Sequence, residues 1–279
     1  MRPLNPGELL ESLAEDTWGR IRDGHALDVV QSEAALTDLM LLEIARARSP
    51  FLKVVKTPLD SEKNQGTDWE WWVGTQARGW ARYAIQAKRL SLPSERYDKI
   101  AHKVDATPQI DILERYAAAN GAVPLYCFYN FSDRADYTPY WHCHRPLDFV
   151  QLGCSITPLR TIRTAISQRG KRTFSSIHSA PFALPWRCLV RCPAFISTFH
   201  PDSSIRSRVA GTTHDFFGVP RVIHPSLPPG FGPALETGTL EFFDDDYFSS
   251  ELHALPRRIA VIDLAESPDF PRVEGTEPP

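Results

Sequence analysis

Apolar and polar positions along the chain change period several times, and each change marks an element. From Gly7 to Arg22, Leu9, Leu10, Leu13 and Ile21 recur at the spacing of an amphipathic helix. Residues 31–48 repeat that period with Leu36, Leu39, Met40 and Ile44, and Ser32 stands where a helix cap belongs. Phe51 to Lys56 suits a first strand, after which period two takes over. If Asp68 to Val73 is a strand, Asp68, Glu70 and Trp72 share one face while Trp69, Trp71 and Val73 share the other. The same alternation from Arg82 to Leu90 puts Arg82, Ala84, Gln86 and Lys88 together, opposite Tyr83, Ile85 and Ala87. Residues 74–80, with Gly74 and Gly79, suit a hairpin connection that pairs the two strands antiparallel. Thr107 to Ala119 is helical again, with Ile110, Leu113 and Ala117 on one side and Thr107-Pro108 as cap and first-turn proline. Val123 to Tyr129 reads as a buried strand.

The second half is less regular. A proline- and aromatic-rich stretch, Asp136 to Pro146, leads to a basic helical pattern, PLRTIRTAISQRG, and then to PWRCLVRC, which reads as a strand. Pro220, Pro225, Pro228, Pro229 and Pro233 break any long element. Arg257 to Leu264 has the alternation and β-branching of a late strand able to return to the sheet. Ser267 to Pro279 is expected to be a frayed tail. The organisation expected is therefore a helical extension over residues 1–30, a core over 31–135, an accessory basic and loop-rich region over 136–266, and a tail over 267–279.

The chemistry concentrates in the predicted hairpin. Pairing in the right register gathers Asp68, Glu70, Gln86 and Lys88 at one place. Carboxylate and amide oxygens are hard ligands suited to magnesium or manganese, ions that bind phosphate oxygens and acidify water. A lysine beside them orients water and offsets negative charge. Any single acid here fits a solvated surface hairpin better than a site; it is the joint pattern that points to phosphodiester cleavage.

Gly-x-Asp on one strand followed by Ile-Gln-Ala-Lys-Arg on the next resembles the PD-(D/E)XK nuclease superfamily, in the QxK variant of Mrr-type restriction enzymes. The strands DWEWW and PLYCFYN are similar to those of uncharacterised bacterial domains in that superfamily. The resemblance covers about residues 31–130. It implies an α/β fold with a restriction-endonuclease-like core of helix, three strands, helix and strand about a mixed central sheet, to which the prolines and short apolar runs add an irregular, β-rich C-terminal half. It further implies that Asp68, Gln86 and Lys88 are the motif residues, with Glu33, in preference to Glu43, as the glutamate of the first helix. Glu70 is an extra ligand or base on the same face, so Asp68, Gln86, Glu70 and Glu33 form the implied magnesium or manganese set. Gln109 and Tyr116, seven apart, are the helix-borne polar candidates. Thr67 stands where the pattern has proline, and neutral Gln86 lowers the charge of the site, which favours one metal over two unless Glu70 or Glu33 supplies a carboxylate. The implied function is metal-dependent hydrolysis of nucleic acid, DNA rather than RNA; the alternative is a binding module that keeps the fold without the chemistry.

Composition fits this picture. With 279 residues, 42% hydrophobic and 23% charged, the chain can bury one large core or two small ones, and it falls outside the disordered class. It lacks the apolar run of about eighteen residues that a membrane span requires, and its acidic start is unlike a signal sequence, so the expected location is the cytoplasm. The net charge of −3 conceals a segregation. Phe149 to Phe199 holds no Asp or Glu but carries Arg160, Arg163, Arg169, Lys171, Arg172, Arg187 and Arg191, whereas Asp244, Asp245 and Asp246 lie in an acidic stretch after Ala234. An acid-free basic segment is the expected footprint of a phosphate backbone, and Arg89, Arg160, Arg163, Lys171 and Arg172 are the expected contacts; a solvated helix face is the plainer account. The five cysteines, Cys127, Cys143, Cys154, Cys188 and Cys192, are expected as buried thiols, because Cys-x-x-x-Cys is not a zinc-ribbon pair. A zinc site would require His142, Cys143, Cys188 and Cys192 to converge. His214-Asp215 has no accompanying nucleophile motif and reads as a turn pair.

Overall fold

The structure, a computed structural model, describes residues 4–56, 66–196, 199, 216–228, 231 and 258–265. The expected turn at His214-Asp215, the acids Asp244 to Asp246 and the tail from Ser267 lie outside the described residues.

Helix α1 runs over Pro6–Ala26, opened by a capping box in which Asn5 and Glu8 each accept from the other's backbone N–H. Helix α2 spans Glu33–Ala47, where the Ser32 hydroxyl accepts from Ala35 N at 3.1 Å. Strands β1 (Leu52–Lys56), β2 (Trp69–Thr75) and β3 (Gly79–Arg89) follow, then α3 (Gln109–Ala119) and β4 (Val123–Tyr129). The second half contributes β5 (Cys154–Pro158), α4 (Leu159–Ser167) and β6 (Arg258–Asp263).

These strands form one mixed sheet in the order β1-β6-β2-β3-β4-β5, with Leu184–Pro185 added at the β5 edge and Ile223–His224 paired to the start of β3. Neighbours alternate in sense: β1 with β6 antiparallel, β6 with β2 parallel, β2 with β3 antiparallel, β3 with β4 parallel, and β4 with β5 antiparallel. The fold is thus α/β with a mixed central sheet, drawing its strands from both halves of the chain. The late strand does return to the sheet, wedged between β1 and β2.

Helices cover both faces. Leu9, Leu10 and Leu13 of α1 and Leu36, Met40 and Ile44 of α2 pack with Trp69, Trp71, Ile85, Leu125 and Tyr129. Ile110 and Leu113 of α3 and Ile162 and Ala165 of α4 pack with Ala84, Tyr126 and Phe128 on the reverse face. β2 and β3 are consequently buried on both sides. Trp69, Trp71 and Val73 share a cluster as their alternation requires, and Trp72 joins Trp80, Leu227 and Val261 in another.

Two local expectations give way. Thr107-Pro108 does not begin the helix; it pairs as a two-residue strand with Lys103–Val104, and α3 starts at Gln109 with Pro108 as its cap residue. Cys188–Arg191 is one helical turn rather than a strand. Over so short a run, residues i and i+4 lie on one side in either geometry, so the spacing could not separate the two.

A buried polar cluster ties the far ends of β4 and β5 together. His178 Nδ1 lies 3.0 Å from the Phe174 carbonyl, which can only accept, so Nδ1 carries the proton and Nε2 accepts from Ser155 Oγ at 2.7 Å. Asn130 Nδ2 donates to the Leu152 carbonyl at 2.8 Å, and Asn130 Oδ1 accepts from Tyr97 at 2.6 Å. Burial pushes the His178 imidazole down from its ordinary 6.5 to about 4. Below pH 6.5 an unfolded chain gains a proton there that the folded chain refuses until about pH 4, so stability falls with pH across that window. The contribution is complete above 6.5, and about 3 kcal/mol of it is lost by the lower limit. In urea denaturation at a series of pH values, His178→Gln should be less stable at neutral pH and should lose this slope; a wild-type slope in the variant would show that another group is responsible.

Candidate functional site

The site follows from an offset between strands. β2 pairs with β3 from Thr75↔Gly79 to Trp69↔Ile85, and β4 pairs with β3 from Tyr83 to Arg89. The last four residues of β3, Gln86 to Arg89, therefore run beyond β2, and the chain entering β2 closes over them. Gly66 shapes that entry: its φ is +62°, and a Cβ there would lie 2.9 Å from the Leu113 amide of α3. Thr67, at the position where proline was expected, is buried with its hydroxyl 2.8 Å from the Trp69 carbonyl and 2.9 Å from that of Ile85. This hydroxyl ties the turn to both strands.

Asp68 is thereby delivered onto the end of β3. Its Oδ2 accepts from Gln86 Nε2 and from Ala87 N, each at 2.6 Å. The Gln86 amide nitrogen also donates to the Ala87 carbonyl at 3.2 Å, and because both partners are acceptors the orientation of the amide is determined. Gln86 Oε1 is left buried with no hydrogen-bond partner. Lys88, 3% exposed, places Nζ 3.4 Å from Glu33 Oε1, while Glu33 Oε2 accepts from Arg89 N at 3.1 Å. Glu33 sits in the first turn of α2, where a carboxylate is favoured by the unpaired helix amides. Glu43 lies on the exposed side of the same helix and pairs with Arg46 at 2.9 Å. The end of β3 thus carries two contacts, Gln86 with Asp68 and Lys88 with Glu33 of α2.

Glu70 is not with them. It is fully buried, and both its oxygens are taken: Arg82 Nη2 at 2.7 Å and Tyr116 hydroxyl at 2.7 Å on Oε1, and Trp72 Nε1 at 3.1 Å on Oε2. Arg82 also donates to the Asn120 carbonyl at 3.2 Å and lies over the rings of Trp72 and Tyr116. The expectation that Glu70 joins a metal set is corrected by this ion pair, two residues along the strand from Asp68. Tyr116 serves the same pair, and Gln109, with Oε1 buried and unpartnered, is at the other end of α3.

The basic segment also differs from expectation. Arg163 pairs with Asp111 at 2.9 Å and Glu114 at 2.5 Å on α3. Arg187 and Arg191 both pair with Glu11 of α1, at 2.6 and 2.5 Å. Arg160 lies 3.5 Å from the centroid of Phe182 and donates to the Phe216 carbonyl at 2.9 Å, and Arg172 donates to that of Ile166 at 3.0 Å. Arg163, Arg187 and Arg191 of this acid-free stretch thus borrow acids from α1 and α3, while Arg160 and Arg172 donate to main-chain carbonyls. Lys171 is exposed. Arg89 is half-buried with Nε unpartnered, and burial lowers its pKa.

Two residues were missed. Gln86, Tyr126 and Thr157 are cross-strand partners in one row, on one face of the sheet, and Tyr126 hydroxyl and Thr157 Oγ1 are buried without partners, like Gln86 Oε1. Burial raises the Tyr126 phenol and the Asp68 charge raises it further, which places that carboxylate in its field. Alternation within VPLYCFY shows which face Tyr126 takes, but only the strand order shows that the row begins at Gln86. Elsewhere, Ser155 and His178 resemble a nucleophile and its base at 2.7 Å, yet both are fully buried and no substrate could reach them. A groove of about 630 Å³ lined by Trp18, Arg22, Arg134, Tyr137 and Phe149 contains none of Asp68, Gln86, Lys88 and Glu33.

The fold is therefore a mixed-sheet α/β protein with a carboxylate, amide and ammonium site at one strand end. The chain belongs to a family of unknown function, DUF6615, whose model matches residues 6–268. No curated protein matches it. Among the described residues, no helix is long and apolar enough to cross a membrane.

The Glu70–Arg82 pair has a measurable consequence. Glu70→Gln leaves a buried guanidinium without its counter-charge, and stability to urea should fall by about 3 kcal/mol. A loss below about 0.5 kcal/mol would show that the pair is not the structural strut described.

Proposed function

We propose that this protein is a metal-dependent nuclease with a restriction-endonuclease-like core, hydrolysing phosphodiester bonds of DNA in preference to RNA. The observation that carries the reading is the end of β3, where Asp68 accepts from Gln86 Nε2 and Ala87 N and the buried Gln86 Oε1 is left without a donor. Leaving such an oxygen unsatisfied costs on the order of 1–3 kcal/mol, and a cation satisfies it. The order α2, β1, β2, β3, α3, β4 is also the order the superfamily resemblance implies.

The residues fit a hard divalent ion. Asp68 and Gln86 offer a carboxylate and an amide oxygen, with the Glu33 carboxylate beyond Lys88, and all are oxygen donors. Magnesium or manganese bound there supplies a Lewis acid for a phosphoryl oxygen and a water of lowered pKa. With Glu70 committed to Arg82, the protein provides one carboxylate beside the amide, which favours a single ion.

The chain's own side chains have separable tasks. Ala87 N and the Gln86 amide hold Asp68 in one orientation, so the carboxylate is set before substrate arrives. Lys88 brings an ammonium to the same strand end, where it donates to a water or a phosphate oxygen and offsets charge developing on the phosphorus. Glu33 keeps Lys88 aimed and balances its charge in the free protein. Arg89 and Lys171 are the remaining phosphate contacts of this reading, since Arg160, Arg163 and Arg172 are engaged internally.

Neutral Gln86 and the closed Lys88–Glu33 pair favour the second reading, a nucleic-acid-binding or protein-binding module without catalysis. Incubating supercoiled DNA and a structured RNA with magnesium, manganese or chelator tests the choice. The wild type should cleave only with metal, and Asp68→Asn and Lys88→Ala should each lose at least a hundredfold. Equal cleavage by wild type and both variants would sink the proposal. Binding of nucleic acid by all three without cleavage would leave the module reading in its place.

A further inference from the structure

Three of the five cysteines form a compact group far along the chain from Asp68. Cys188 and Cys192 bracket one helical turn, which brings both sulfurs to the same side, and the loop carrying Cys143 folds against that turn. Cys143 Sγ is 3.5 Å from Cys188 Sγ and 4.0 Å from Cys192 Sγ, and all three sulfurs lie within 4.8 Å of one another. These separations are too long for a disulfide, whose sulfurs bond at about 2.05 Å. They match the edge of a tetrahedron around zinc, where a metal–sulfur bond of about 2.3 Å sets sulfurs about 3.8 Å apart. All three residues are buried, and thiols are weak mutual hydrogen-bonding partners, so clustering them brings little stability by itself.

We propose that Cys143, Cys188 and Cys192 hold a zinc ion at a structural site. The ion clips the 141–145 loop onto the turn at Cys188–Arg191, joining segments 45 residues apart in the chain. Thiolates select a soft or borderline ion, so this site and the oxygen site at Asp68 take different metals. Three thiolates with one zinc ion carry a net single negative charge, and the Arg187 guanidinium lies over the ring of Trp141 on the loop that carries Cys143. His142 is not a ligand through Nε2, which is 2.8 Å from the His178 carbonyl, and His144 is exposed. Among the described residues, the side chains that could hold the ion here are these three cysteines.

Elemental analysis of the untagged full-length protein, purified with zinc in the medium and no chelator, should find about one zinc per chain. Cys143→Ser should hold less than a tenth of that, whereas Cys127→Ser and Asp68→Asn should keep it, which makes this outcome independent of the nuclease reading. To separate loss of metal from loss of fold in Cys143→Ser, cobalt(II) is titrated into reduced, metal-free wild type as a second measurement. An intense near-ultraviolet thiolate-to-cobalt band that saturates at one equivalent and disappears on adding zinc is the supporting result. Absence of zinc together with absence of that band overturns the proposal, as does undiminished zinc in a folded Cys143→Ser.

Discussion

The offset between β2 and β3 is the constraint on which the site depends. β3 is eleven residues long, and its final four residues have β4 on one side but only the entry turn of β2 on the other. A longer β2 would cover Gln86 and Ala87 with backbone. A shorter β3 would leave Asp68 nothing to accept from. Gly66 and Thr67 set where β2 begins, one by permitting a left-handed backbone against α3 and the other by bonding both strands. The acid, amide and lysine are therefore placed by main-chain register, which a single side-chain change does not easily shift.

The rest of the sheet protects that register. β2 and β3 are buried along almost their whole length, and a strand buried on both faces cannot slip without exposing tryptophans. The insertion of β6 between β1 and β2 extends this protection, since it supplies β2 with a partner on its otherwise open edge. Glu70 and Arg82 face each other across the β2–β3 pair and are joined by Tyr116 of α3, so they lock the helix to the same two strands. One acid on this face thus ties the two strands and α3 together, while Asp68, two residues away, accepts from Gln86 and Ala87 at the end of β3.

Charge in this protein is balanced in space rather than along the chain. The acid-free stretch from Phe149 to Phe199 meets Glu11 of α1 and both Asp111 and Glu114 of α3. Reading a phosphate-binding surface from such a stretch overlooks that ion pairs form between elements distant in sequence. The same holds for the cysteines, where Cys143 meets Cys188 and Cys192 only because the chain doubles back.

What the sequence by itself determined is the set of elements nearest the site. Periodicity marked α1, α2, β2, β3 and β4, and the short motif named Asp68, Gln86 and Lys88, because hydrophobic period and motif order are properties of neighbouring residues. Of the two glutamates of α2, Glu33 reaches Lys88 and Glu43 pairs with Arg46. Tertiary structure alone decided that Glu70 faces Arg82, that Tyr126 and Thr157 continue the row from Gln86, and that the basic side chains have partners. Alternation assigns a side chain to a face, but its neighbours on that face come from strand order and helix packing, which local periodicity does not encode.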